Sequence, residues 1–245
     1  MAIIGGRAHS LEELDEVAIN DFPYIEINVD DPEAVETQLD EFIERRERYN
    51  IYYLAHYPNE GNPTDVQNLQ EVFVPKMKKL MDFSPALGIK KGTMHFWMDK
   101  RWAPDDLVKA KTDMLAELVE HAAKRDMVLC LENLTASHDT FGQIFEAVPG
   151  LMMTMDIGHG ELLSDVNTSF GFMEHLFERI KHVHVHDNKG GTGVKDDLHL
   201  PLGDGIVDYP KILTQLKACG YDSTITMEVK PGDIKRTMKE VMAYI

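Results

Sequence analysis

The sequence predicts a (β/α)8 barrel whose functional face lies at the C-terminal ends of its strands, and three observations predict it. Eight short apolar, β-branched runs alternate with longer segments of helical periodicity, an order that implies parallel strands joined by crossover helices. The 245 residues divided by eight give about 31 per unit, close to the roughly 30 of a strand–helix–strand repeat. Finally, six consecutive runs end in potential metal ligands, and in a parallel barrel all such ends share one face.

In chain order, the strand runs begin near Ala2, Tyr24, Ile51, Gly92, Met127, Leu151, Ile180 and Ser223. Between them lie helix-start signals. Ser10-x-x-Glu13 and Thr64-x-x-Gln67 read as capping boxes, while Asp31-Pro32 and Ala103-Pro104 place proline where a helix can begin. Over residues 105–125, Leu107, Ala110, Met114, Leu115, Leu118, Val119 and Ala122 recur at spacings of three and four, one apolar stripe facing the barrel. The loops HYPNEGNP and DNKGGTGVKDD are the conspicuous polar connections, and both follow strands. No linker interrupts the rhythm, so residues 1–245 read as a single domain.

Composition narrows the partners. With 42 Asp+Glu against 25 Lys+Arg, the formal charge is −17, which disfavours broad contact with nucleic acid or an anionic membrane. Two cysteines, Cys130 and Cys219, form no disulfide framework or metal-binding pair, so a reducing cytoplasm is the expected compartment. No apolar run approaches the roughly 18 residues that cross a bilayer, and MAIIGGRAHS lacks the pattern of a signal peptide. Homo-oligomerisation is left open.

The chemistry collects at the strand ends: His56 after the third run, His95 after the fourth, Glu132 on the fifth, Asp156 and His159 on the sixth, His184 on the seventh and Glu228 on the eighth. Any one of these is more often a hydrogen-bonded polar residue than a ligand. Their coincidence on one face changes that reading. Glu132 follows VLCL and Glu228 follows ITM, so each carboxylate ends a buried strand, where an unpaired charge costs several kcal/mol and a cation would relieve it. His182, His184 and His186 repeat every two residues and share one strand face, though not all three can serve one centre. Asp197-x-His199 is a weak pattern alone; His121, His138 and His175 fall in helical segments and read as scaffold, and His9 is undecided.

The segments LENL (131–134), MDIGH (155–159), HVHVHDN (182–188), DLHLPLGDG (197–205) and MEV (227–229) together resemble the xylose isomerase-like TIM barrels, which include sugar phosphate isomerases and epimerases and endonuclease IV-type enzymes. The resemblance implies a metal centre on Glu132, Asp156, His184 and Glu228, with His159 close by. Likeness to endonuclease IV further implies ligand roles for His56, His95, Asp197 and His199, nine candidates in all. Imidazole and carboxylate suit several divalent metals, with zinc and manganese the leading expectations and one to three ions the expected number.

Two mechanisms use such a face. By resemblance to the ketose epimerases, Glu132 and Glu228 would be both ligands and acid/base groups, moving a proton beside a polarised carbonyl of a small sugar or sugar phosphate through an enediolate. A dehydratase would use nearly the same groups. By resemblance to endonuclease IV, a multi-zinc centre would hydrolyse a phosphoester, yet the acidic loop Asn28-Val29-Asp30-Asp31-Pro32 opposes DNA. A barrel that only binds a ligand is a third reading. The isomerase or epimerase is the expectation, with Trp97, Trp102 and Phe96 as an apolar wall, and Trp97, Lys100 and His159 as substrate contacts. Gly203 and Gly205 read as turn residues.

Overall fold

A computed structural model describes the chain from residue 1 to 245, with the side chain of Val194 outside the description. Eight strands form it: β1 (Ile3–Ala8), β2 (Tyr24–Asn28), β3 (Tyr52–His56), β4 (Lys91–Met94), β5 (Val128–Glu132), β6 (Met152–Asp156), β7 (Ile180–Val185) and β8 (Thr224–Met227). All neighbours pair in parallel in sequence order, and β8 closes on β1 through Ile3↔Thr224 to Gly6↔Met227. Each strand starts within one residue of its apolar run in the sequence.

The helices are α1 (Leu11–Ala18), α2 (Pro32–Tyr49), α3 (Val66–Asn68), α4 (Val74–Met81), α5 (Ser84–Leu87), α6 (Asp105–Ala123), α7 (His138–Ala147), α8 (Ser169–His175), α9 (Tyr209–Ala218) and α10 (Ile234–Tyr244). A π-helical turn, Leu69–Phe73, joins α3 to α4. Asp31 caps α2 by accepting from Glu33 N and Ala34 N, both at 3.0 Å, with Pro32 in the first turn as expected. Only half of the Ser10 box forms. Ser10 Oγ accepts from Glu13 N, but Glu13 turns its carboxylate to His9 instead. The Thr64 box does not form: Asp65 is the cap, accepting from Asn68 N, because Asn62 Oδ1 engages both Thr64 N and Thr64 Oγ1. Pro104 stands one residue before α6 rather than inside it.

Side-chain alternation sorts the strands into two chemistries. Residues facing the helices are apolar: Ile25, Ile27, Met94, Leu129, Leu131, Met153, Met155, Val183, Val185, Ile225 and Met227 pack against Leu14 and Val17 of α1, Leu115 and Leu118 of α6, and Ile212 and Leu216 of α9. Each such side chain contributes about 1.5–3 kcal/mol by leaving water. The barrel interior is polar instead. Thr93 and Thr154 hydroxyls meet across it at 2.8 Å, Tyr24 Oη meets Thr226 Oγ1 at 3.1 Å, and near the floor Lys91 Nζ donates to Thr224 Oγ1 at 2.8 Å. These interior polar groups are hydrogen-bonded, as burial requires, although Arg7 Nε is buried without a partner and Leu54 and Cys130 share the interior face. The stripe on α6 holds with one surprise: Ala110 and Val119 are half-buried, while Lys111 is fully buried among the apolar positions.

Candidate metal centre at the barrel mouth

The strand ends bring the nine predicted candidates to one place. Glu132 is central. Its Oε2 lies 2.9 Å from His95 Nε2 and 3.5 Å from His56 Nε2, and its Oε1 lies 3.2 Å from His184 Nδ1. The same nitrogen lies 3.5 Å from Glu228 Oε1 and 3.8 Å from Asp156 Oδ2. Asp197 Oδ2 is 3.0 Å from His159 Nε2 and 3.1 Å from His199 Nε2. Four groups with ligand atoms all within 4.8 Å of one another result among the described residues: His56, His95 and Glu132; Glu132, Asp156, His184 and Glu228; His159, His186, Asp197 and His199; and Glu26, His56, His184 and Glu228. Adjacent loops lock the geometry. Asn133 ties β5 to β6 by donating to Asp156 O and accepting from Asp156 N, and Asp156 Oδ1 accepts from His159 N at 2.6 Å.

The imidazoles share one pattern. His56 Nδ1 faces Tyr57 O, His159 Nδ1 faces Asn133 O, His199 Nδ1 faces Glu228 O, and His95 Nδ1 faces Asn59 Oδ1. Each acceptor takes an N–H, so the opposite ring nitrogen of each is left to point at a carboxylate oxygen. A lone pair aimed at a carboxylate is repulsive unless a cation lies between them. A proton can serve, and so can a metal ion, and this outer hydrogen bonding is what orients metal-ligating histidines.

Charge balance leads to the same donor chemistry. Glu26, Glu132, Asp156 and Glu228 are buried and Asp197 is partly so, whereas Arg7 is the one guanidinium among them, 3.2 Å from Glu26 and 3.6 Å from Glu228. Five carboxylates face one permanent cation. Burial opposes ionisation of Glu132, but His95 and His184 outweigh it and hold its carboxyl well below the usual range. Burial likewise opposes Glu228, and His184 and Arg7 bring it down to about 2. The imidazoles answer in the opposite sense. Against burial, Glu228, Glu26 and Glu132 push His184 well above its ordinary value, Asp156 and Asp197 do the same for His159, and Asp197 with Glu228 raises His199 to about 9. A divalent ion bound here would replace such protons, and the N/O donor set suits zinc, manganese, iron or cobalt.

Two cavities open here. One of about 360 Å³ is lined by Arg7, His56, His95, Asp197, His199 and Glu228. A second, of about 450 Å³, is walled by Trp97, Trp102, Leu134, Leu162 and Leu163 and shares His159 and Asp197 with the first. Trp97 and Trp102 thus form the apolar wall expected of the fourth-strand loop. Phe96 does not: it is buried, stacked on Phe73 and beneath Lys111, and anchors the loop. Lys100 is exposed and bonded to Gln143, apart from both cavities. His121 binds Asp82, and His138 stacks on His175, all away from the centre.

Three participants escaped the sequence reading. Arg7 and Glu26 sit mid-strand without any motif, and only strand parity with Asn28 and His56 could have flagged Glu26. His186 had the parity signal in HxHxH; its Nε2 lies 3.0 Å from Asp156 Oδ1. Gly158 makes room for that ring, since a Cβ there would collide with the His186 imidazole. His199 has a left-handed backbone, φ +45°, a strained conformation that aims its ring at Asp197.

A family model described as xylose isomerase-like TIM barrel matches residues 14–245. The uncharacterised protein MJ1311 of Methanocaldococcus jannaschii is 26% identical over 202 residues, 77% of this chain and 68% of its own. Among solved structures, a D-tagatose 3-epimerase-like protein superposes with TM-score 0.81 at 22% identity, covering 98% of both chains. The IOLI protein with a binding zinc atom superposes with TM-score 0.82 at 17% identity, covering 99% of both. No helix among the described residues is long and apolar enough to cross a membrane.

Proposed function

Because the chain belongs to the xylose isomerase-like TIM-barrel family, we propose that it is a divalent-metal-dependent isomerase or epimerase of a small sugar or sugar phosphate. The observation that carries this reading is the convergence of Glu132 Oε1, at 3.2 Å, and Glu228 Oε1, at 3.5 Å, on His184 Nδ1. Glu132, Asp156, His184 and Glu228 would hold the principal ion, which supplies Lewis-acid polarisation of a substrate carbonyl. Both carboxylates, held ionised by neighbouring imidazoles, are acceptors for a carbon-bound proton, and one placed on each face of a substrate can remove it from one side and return it from the other. Arg7, 3.6 Å from Glu228, keeps that carboxylate charged and in position. The cavity of about 360 Å³ suits a small polyol, and Trp97 and Trp102 offer a surface for its apolar C–H face. Solved structures with this fold include proteins described as D-allulose 3-epimerase and L-ribulose 3-epimerase, which supports the reading.

A second reading is favoured by one observation: three of the ligand groups adjoin at the mouth, Glu132 belonging to two of them, an arrangement suited to two or three zinc ions and a phosphoester substrate. The net charge of −17 and Asp30 at the mouth oppose DNA as that substrate.

The test is solvent exchange. Metal-supplemented protein in D2O, offered a panel of ketoses and their phosphates, is expected to wash deuterium into the carbon beside the carbonyl and to form the epimer or aldose. Absence of exchange with every ketose, together with cleavage of phosphodiesters or abasic DNA, would overturn the isomerase in favour of the hydrolase.

A further inference from the structure

Below the mouth, Glu26 on β2 is completely buried and touches two imidazoles of β7. His184 Nε2 lies 3.0 Å from Glu26 Oε2 and 3.1 Å from Oε1; His182 Nε2 lies 2.8 Å from Oε2. The charge on Glu26, paired with Arg7, sets the direction of the bonds to it. His182 Nδ1 faces Thr224 Oγ1 at 2.6 Å and Thr224 O at 3.1 Å, while its Nε2 donates to Glu26, a carboxylate that can only accept. Arg7 Nη1, 3.2 Å from Oε1, stabilises the charged carboxylate, which can only accept. His184 must therefore also donate from Nε2, and its Nδ1 is the nitrogen turned to Glu132, Asp156 and Glu228.

We infer that Glu26 is a positioning residue: by accepting the Nε2 proton of His184 it sets that ring's tautomer and aims Nδ1 at the metal group. It touches neither cavity and no substrate, and acts through His184 as an outer carboxylate does in carboxylate–histidine–metal arrangements. A competing geometry exists, because Glu26, His56, His184 and Glu228 also fall within 4.8 Å. There Glu26 would itself be a ligand and the ion would sit on Nε2.

The inference rests on the metal reading above, and the experiment separates the two. Zn2+ affinity of the metal-stripped protein is measured by competition with a chromophoric chelator, for wild type, Glu26→Gln and His182→Gln. The glutamine in place of Glu26 presents one acceptor and one donor to two rings that both donate, so zinc affinity is expected to fall about 10- to 100-fold. In His182→Gln the new amide still donates to Glu26 and the His184 bond survives, so affinity should stay within about twofold of wild type. Wild-type affinity in Glu26→Gln, or an equal loss in His182→Gln, overturns the positioning role. Imidazole 15N spectra of the zinc-loaded wild type give a reading that needs no variant: a protonated Nε2 and a ligating Nδ1 on His184 are expected, and the reverse overturns it. Should wild type bind no zinc at all, the metal reading itself fails.

Discussion

Glu132 and Glu228, nearly a hundred residues apart in sequence, converge on a single nitrogen: Oε1 of each lies within 3.5 Å of His184 Nδ1. If they work as the proton-transfer pair, Glu132→Gln and Glu228→Gln each lower turnover by roughly 10²- to 10⁴-fold. Deuterium exchange separates them, since each variant should lose exchange from one epimer more than from the other. Equal, near-wild-type turnover in both variants would remove them from the chemistry.

The acid–base state of the mouth makes stability of the metal-free protein peak near pH 6.5. His199 is raised to about 9 from 6.5, so its contribution is complete below 6.5 and is lost as pH climbs through 9. Burial lowers His182 to about 4, so its contribution is present above 6.5 and is lost as pH falls toward 4. Glu228, lowered to about 2 from 4.5, adds a further loss between those values. Thermal unfolding of chelator-treated protein checks this, and a midpoint rising steadily from pH 6.5 to 9 would contradict it. Zinc affinity should move the other way, rising with pH as ligand protons leave.

Lys111 and Glu60 form a buried pair at 2.5 Å, and they clamp the loops after β3 and β4 together: Lys111 Nζ donates to Trp97 O and Glu60 Oε1 accepts from Trp97 N. Lys111→Met leaves Glu60 buried without its partner and should cost about 3–5 kcal/mol in urea unfolding. The double variant with Glu60→Gln should recover most of that. A single-variant loss below about 1 kcal/mol would show that the pair is not holding the loops.

Trp97 walls the apolar cavity; if that cavity takes the substrate, Trp97 serves binding rather than proton transfer. Trp97→Ala should raise KM roughly tenfold or more, with kcat changed far less. A fall in kcat at constant KM would place it in the chemistry instead.

The barrel was legible because its outward faces carry strong apolar periodicity, from Ile25 and Ile27 to Ile225 and Met227, and because parallel strands must send their ends to one side. That rule gathered His56, His95, Glu132, Asp156, His159, His184 and Glu228, and the family resemblance singled out Glu132, Asp156, His184 and Glu228 among them. What it could not reveal was depth. Glu26 and Arg7 lie inside strands, where a lone charge in a run such as YIEINV looks like noise until the opposite wall, His182 and His184, is in place. Lys111 was hidden for the converse reason: its burial is set by Glu60, a loop residue 51 positions earlier, and no helical periodicity encodes that partner. The Thr64 box failed on a competition between neighbours, Asn62 and Asp65, that motif matching does not weigh.

The most direct test of the whole account is anomalous diffraction from crystals grown with zinc or manganese, paired with quantitative metal content. The account predicts an ion about 2.0–2.2 Å from Glu132, Asp156, Glu228 and His184 Nδ1. Crystals in which those four side chains diverge, or in which metal lies only elsewhere, would contradict it.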